Sequence, residues 1–402
     1  MKVRNETRMT RFRQQRWILD NVIRTVGIDW DQGRTSRLLS NIGMSAFGDV
    51  TQVRNRITKF SDITREFEKI ARRREDFGRQ AEERGNRVTA RNNYFMAALY
   101  YINAQWPIFE DDNAQKLALA EGQNRCYDKY IEYADHSIER LEIPFEDSTI
   151  PALLHIPKVP VHPSPCVVCI PGMDSVKEET SLYGDTFLER GIATLRLDGP
   201  GQGESNLRKI RVTASNYARA GQNAVDYLLT RKDIDGGRLA LYGVSMGSYW
   251  GFRTGAAEDR FKAVALSGTC LEPGMDSIFN AASPTFKLNY MYMTGYEDED
   301  AFDAFAETLD VRGLEANLKA PFLLVAGEDD ELCPIEWTYT IFDAIPDPKK
   351  LVVYEGERHS IRNPQYRDLV ADWIKDRLDD VPMSSEKVYV EASGRERIES
   401  LA

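Results

Sequence analysis

The chain has 402 residues, 42% hydrophobic and 29% charged, enough to bury one large core and a smaller one. A net charge of −11 at pH 7 argues against nucleic acid or an anionic membrane as partner, since both attract cationic surfaces. No window approaches the roughly 18 apolar residues of a membrane span, and five scattered cysteines describe reduced core thiols of a cytoplasmic protein.

The basic opening, MKVRNETRMTRFRQQR, has no apolar stretch of signal-peptide kind behind it and reads as a solvated arm or helix face. Residues 1–135 as a whole read as a helical domain. In VRNRITKFSDITREFEKIA, Val53, Ile57, Phe60, Phe67 and Ile70 recur at spacings of three, four and seven, which predicts a single helical face. RVTARNNYFMAALYYINA and DDNAQKLALAEGQNRCYDKYIEYA behave alike, with Asp111 and Asp112 as candidate caps of the second. Core packing explains these stripes first; Tyr94, Phe95, Tyr100, Tyr101 and Trp106 are also candidates for substrate contact.

From residue 136 to 385 the pattern changes. SIERLEIPF and IPALLHIP predict a hairpin around EDST. CVVCIPG, IATLRLDGPG, RLALYGVS, FKAVALSGT, PFLLVAGEDD and KLVVYEGERH follow, apolar runs alternating with helical stretches. This predicts a mostly parallel twisted sheet with helices on both faces, an α/β class whose ligand site lies beyond the carboxyl ends of the strands. Cys166 and Cys169 fall inside one of these strands with no second pair, so no metal site is expected there. The aromatic and methionine-rich stretch 271–312 is too long for a tight connection and reads as a cap insertion. PQYRDLVADWIKDRL closes the domain, and 386–402 reads as a polar, mobile tail.

Within YGVSMGS, Ser245 stands where a strand passes sharply into a helix. Gly243 and Gly247 remove side chains that would clash in such a turn, leaving the Ser245 hydroxyl exposed beside the free N–H of Met246 at a helix start. A nucleophilic serine needs a base, and of four histidines only His359 follows it, after the last predicted strand. The acidic turn GEDDEL offers Glu328, Asp329, Asp330 and Glu331; its spacing to the following proline favours Asp330, with Asp329 next. A second oxyanion donor is expected from the loop PGMDSVKEE, as the Met173 N–H next to Gly172. The glycine-rich turn DGPGQGES lacks GK[ST] and reads as structural rather than as a phosphate loop.

With these motifs in place, residues 85–380 resemble the α/β-hydrolase family that includes 2,6-dihydroxypseudooxynicotine hydrolase, polyketide-shortening fungal pigment hydrolases and FrsA-like esterases. The resemblance implies cleavage of a carbon–carbon bond beside a ketone without metal or organic cofactor. It implies Ser245, Asp330 and His359 as a catalytic triad, with Met173 and Met246 as oxyanion donors. It also implies that residues 1–135 cover the active site and contribute to a homodimer. An additional pocket acid known in the family has no clean counterpart here; Glu272 and Asp276 are the candidates. The small-molecule substrate expected is aromatic or polyketide-like. Ester or lactone hydrolysis is the close alternative, since the triad serves an alkoxide and a stabilised carbanion alike. A non-catalytic ligand-binding role and a peptidase are the more distant readings.

Overall fold

The computed structural model describes residues 10–401, so most of the basic opening stretch lies outside the described residues. The chain divides into two compact units between Ile138 and Glu139.

The first unit is helical, with long helices Thr10–Val26, Ile63–Glu83, Arg87–Gln105 and Ala114–Tyr133 and shorter ones between the first two. The single face predicted across 53–71 is in fact interrupted: one helix ends at Arg56 and the next begins at Ile63. The Asp62 carboxylate accepts the N–H groups of Thr58 and Lys59, which stabilises the break. All five apolar residues of the predicted face are nevertheless buried. The cap of helix Ala114–Tyr133 is Asn113, whose side chain accepts the Lys116 N–H, and not Asp111 or Asp112. Asp112 has φ 53° and so occupies the turn preceding the cap.

Helix Ile63–Glu83 carries Glu75 and Glu82 seven residues apart on one face. Glu75 accepts from Tyr101 Oη and Arg125; Glu82 accepts from Tyr94 Oη, Tyr133 Oη and Lys129. These bonds hold the Glu82 pKa down at about 2. A Cβ on Gly78 would lie 2.9 Å from the Tyr94 ring, and one on Gly122 as close to Tyr101. Tyr100 is also buried and donates to Asp49. The three tyrosines are thereby committed to packing within this unit.

The second unit contains a ten-stranded sheet in the order β1-β2-β4-β3-β5-β6-β7-β8-β9-β10. β1 (Ser137–Phe145) and β2 (Ser148–Ile156) neighbour each other across the EDST turn, and β2 runs antiparallel to β4 (Ala193–Leu197). β3 (Ser164–Ile170), β5 (Ile234–Val244), β6 (Phe261–Ser267), β7 (Phe322–Gly327) and β8 (Lys349–Tyr354) extend the sheet in parallel. β3, β4 and β7 are buried at every position, as expected of strands covered on both faces. On one face Val167, Tyr242, Ala265 and Val325 pack against Tyr183, Phe187, Val370 and Ile374. Strand alternation sends Leu241, Val264 and Leu266 to the other face, where Gly251 and Gly255 of helix Met246–Ala257 approach them. Among the described residues no helix is long and apolar enough to cross a membrane.

The stretch 386–402 corrects the expectation of a mobile tail. β9 (Glu386–Val390) pairs in parallel with β8, and β10 (Glu396–Ser400) pairs antiparallel with β9. Val388 and Val390 are buried, while Tyr389 Oη donates to Glu328 at 2.7 Å. Five residues with only two apolar side chains facing inward give a weak strand signal, and the partner strand lies some thirty residues earlier. Deleting residues 384–402 is expected to lower Tm by about 10 °C in a thermal melt, from two buried valines at about 2 kcal/mol each. Deleting 394–402, which removes only the exposed β10, is expected to change it little.

Candidate active site

β5 ends at Val244 and the next helix begins at Met246, so Ser245 alone makes the turn. Its backbone lies at φ 58° and ψ −130°, a conformation costing a non-glycine residue about 1–3 kcal/mol. Two bonds hold it there: Ser245 N–H to Ser267 O at 2.9 Å, and Ser248 N–H to Ser245 O at 2.7 Å. The flanking glycines have a steric cause. A Cβ at Gly243 would sit 2.2 Å from Gly247 O, and one at Gly247 would sit 2.3 Å from Ile170 O.

His359 follows β8 in a loop that packs against the end of β7, where a Cβ on Gly327 would meet Glu357 O at 2.3 Å. That close approach brings three side chains into line. His359 Nε2 lies 2.8 Å from Ser245 Oγ, and His359 Nδ1 lies 2.9 and 3.0 Å from the two Asp330 oxygens. Asp330 Oδ1 also accepts the N–H groups of Leu332 and Cys333, each at 2.9 Å, so the carboxylate is oriented before the imidazole reaches it. Asp329, the other candidate acid, donates its backbone N–H to Glu357 O. Glu331 accepts the His359 N–H at 3.1 Å, and Glu328 accepts from Tyr389 and Gly356. The acidic turn therefore grips the histidine loop at several points. Burial pulls the His359 pKa down, but the charge and hydrogen bonding of Asp330 outweigh it and hold the imidazole well above its ordinary 6.5.

Gly172 brings the loop after β3 against the serine, since a Cβ there would lie 3.1 Å from Ser245 Cβ. Met173 follows it, and Met246 opens the helix after Ser245; both are buried. No acceptor among the described residues takes up either backbone N–H. Two free donors thus flank the serine. Asn289, on the buried helix Pro284–Thr294 of the 271–312 stretch, donates to Met173 O at 3.4 Å. That stretch is built around Tyr290, whose ring packs with Phe279, Phe302 and Phe305.

Glu272 and Asp276 are not brought into this constellation by any hydrogen bond. The Glu272 carboxylate accepts the Ser277 N–H at 2.9 Å, and the exposed Asp276 accepts from Asn280. Both serve the local turn. What the motifs left unseen is the support around the site: Gln202 from the glycine-rich turn, Tyr217 and Asn289 at the donor loop, and the strand residue Tyr389 at Glu328 of the acidic turn. Each acts on a partner 15 or more residues away, with no local signature.

The ordering of this sheet and the serine at its strand-to-helix corner define an α/β-hydrolase fold, and the protein is a hydrolase by its relatives. The chain belongs to the FrsA-like esterase family, whose model matches residues 68–353. It is 28% identical over 291 residues to 2,6-dihydropseudooxynicotine hydrolase of Paenarthrobacter nicotinovorans, covering 70% of this chain and 75% of that one. It is 26% identical over 307 residues to esterase FrsA of Vibrio vulnificus, covering 71% and 69%. The solved structure of 2,6-dihydroxy-pseudo-oxynicotine hydrolase superposes with a TM-score of 0.75 at 25% identity, covering 85% of this chain and 95% of that one. Of a fungal relative, the α/β hydrolase xenA of Xenoacremonium sinensis, the chain spans about half the length, 52%.

Proposed function

We propose that the protein is a serine hydrolase that cleaves a carbon–carbon bond beside a ketone in a small aromatic or polyketide-like substrate, without a cofactor. The observation carrying the serine-hydrolase chemistry, common to either bond, is the unbroken hydrogen-bond chain from Ser245 Oγ through His359 to Asp330. Ser245 attacks the ketone carbon as its proton passes to His359 Nε2. The oxygen becomes an oxyanion facing the Met173 and Met246 N–H groups. Collapse of that intermediate breaks the carbon–carbon bond, the departing carbanion takes the proton from the imidazolium, and an acyl-Ser245 ester remains. Water, deprotonated by His359, then releases a carboxylic acid and restores the serine.

This sequence needs no electron sink in the protein, because an adjacent carbonyl or electron-poor ring of the substrate delocalises the carbanion. The likeness to a 2,6-dihydropseudooxynicotine hydrolase over most of both chains supports the choice of bond. The likeness to esterase FrsA supports a second reading, ester or lactone hydrolysis, in which an alkoxide takes the same proton. With the first reading we also propose the homodimer that the resemblance implies and the cytoplasmic location that the scattered reduced cysteines suggest.

Turnover of matched acyl-phenol and β-diketone substrates against aryl and alkyl esters, by wild type and Ser245→Ala, separates these. Serine-dependent release of acid from the ketones at rates well above those for esters is the expected result. Ester turnover with inert ketones would make the protein an esterase. Failure of Ser245 to react with a fluorophosphonate in folded protein would favour a ligand-binding role.

A further inference from the structure

We infer that Gln202 is a positioning residue that aims and strengthens the Met173 oxyanion donor, an inference resting on the serine mechanism proposed above. Gln202 lies in the glycine-rich turn after β4 and is buried, 2% exposed. Its Nε2 faces three carbonyls of the donor loop: Gly172 O at 2.8 Å, Pro171 O at 3.2 Å and Ser175 O at 3.4 Å. Its Oε1 accepts Tyr217 Oη at 2.6 Å, so only one orientation of the amide satisfies both ends.

The carbonyl of Gly172 and the N–H of Met173 belong to one peptide unit. That unit is planar and trans, so its C=O and N–H point in opposite directions, and fixing the oxygen fixes the direction of the N–H. A hydrogen bond accepted at the oxygen also polarises the unit and makes its N–H a stronger donor. Gly172 O receives one such bond from within the loop, the Ser175 N–H at 3.1 Å. Gln202 supplies the second from a different loop, which turns a flexible local turn into a braced one.

The brace is itself anchored to the nucleophile's helix. The Tyr217 ring stacks on Trp250, centroids 4.7 Å apart and planes 7° apart, and Trp250 lies on the helix that begins after Ser245. Gly199 makes room for this, since a Cβ there would lie 2.2 Å from Tyr217 Cζ. Tyr217 and Gln202 thus link the element that positions Ser245 to the peptide that faces its oxyanion.

The test compares Gln202→Met, which keeps length and removes the donor, with Tyr217→Phe, which removes one oxygen. Each is assayed for kcat, KM and inhibition by a trifluoromethyl ketone, which forms a hemiketal oxyanion on serine, and by the matching secondary alcohol, which forms none. Gln202→Met is expected to lower kcat about 10- to 100-fold, less than outright loss of a donor, with KM within about threefold. Trifluoromethyl ketone affinity should fall in step with kcat/KM while alcohol affinity holds. Tyr217→Phe should show the same pattern at about 3- to 10-fold, and it decides the matter if Gln202→Met does not fold. Unchanged kcat and ketone affinity, or equal weakening of both inhibitors, would overturn the inference. If Ser245→Ala is dead and Gln202→Met is unimpaired, this inference alone falls; if Ser245→Ala keeps wild-type turnover, the serine mechanism falls with it.

Discussion

Ser245→Ala is expected to reduce kcat by about 10⁴- to 10⁶-fold, with Tm close to wild type. The size follows from what is removed: with no hydroxyl 2.8 Å from His359 Nε2, the acyl-enzyme route is closed and only binding and the two flanking N–H groups remain. His359→Ala should cost a similar factor, and the double variant little more than either single one, because nucleophile and base act as one unit. Additive losses in the double variant would show that the two residues work independently. Intact-mass measurement after mixing with a slowly deacylated substrate gives a second check. Wild type should gain the mass of the acyl group, and Ser245→Ala should not.

Asp330→Asn is expected to lower kcat by about 10⁴-fold, and its pH profile should identify the cause. His359 acts as a base only when neutral, so activity is lost as pH falls through its folded-state pKa. In the wild type Asp330 holds that pKa well above 6.5 against the opposing effect of burial, which places the acid limb of kcat/KM above pH 6.5. With a neutral asparagine the charge is gone while burial persists, so the limb should move to lower pH. The variant would then lose rate and gain acid tolerance together. An acid limb that stays in place on substitution would show that His359 is not the titrating base, or that Asp330 is not its partner. Asp329→Asn serves as the comparison: its backbone, not its carboxylate, is what the loop after β8 engages, through Glu357 O.

The supporting residues have smaller expected effects because they act through others. Gln202 tunes one donor, and the strand carrying Tyr389 steadies Glu328 at one end of the turn that holds Asp330. Neither could be read from its neighbours in the chain. Gln202 sits in a turn whose glycines suggest only a tight strand exit, and Tyr389 sits in a segment polar enough to pass for a tail.

What was legible was legible because its physics is local. Buried parallel strands must be apolar along their length, so CVVCI, ATLRL and FLLVAG announce a doubly covered sheet whatever their partners. A strand that turns into a helix within one residue must have glycines where its neighbours crowd it, so the residues around Ser245 carry the turn in themselves. Periodicity likewise selected Val53, Ile57, Phe60, Phe67 and Ile70 for burial, although not the break among them, which depends on a side-chain oxygen of Asp62 competing for backbone donors. Tertiary structure decided the rest. Asp330 rather than Asp329 meets His359, Glu75 and Glu82 take the tyrosine hydroxyls, β9 finds β8, and Gln202 grips Gly172. Each of these is a pairing between groups far apart in the chain, and a hydrogen bond or strand contact has no expression in sequence until folding brings its two halves within about 3 Å.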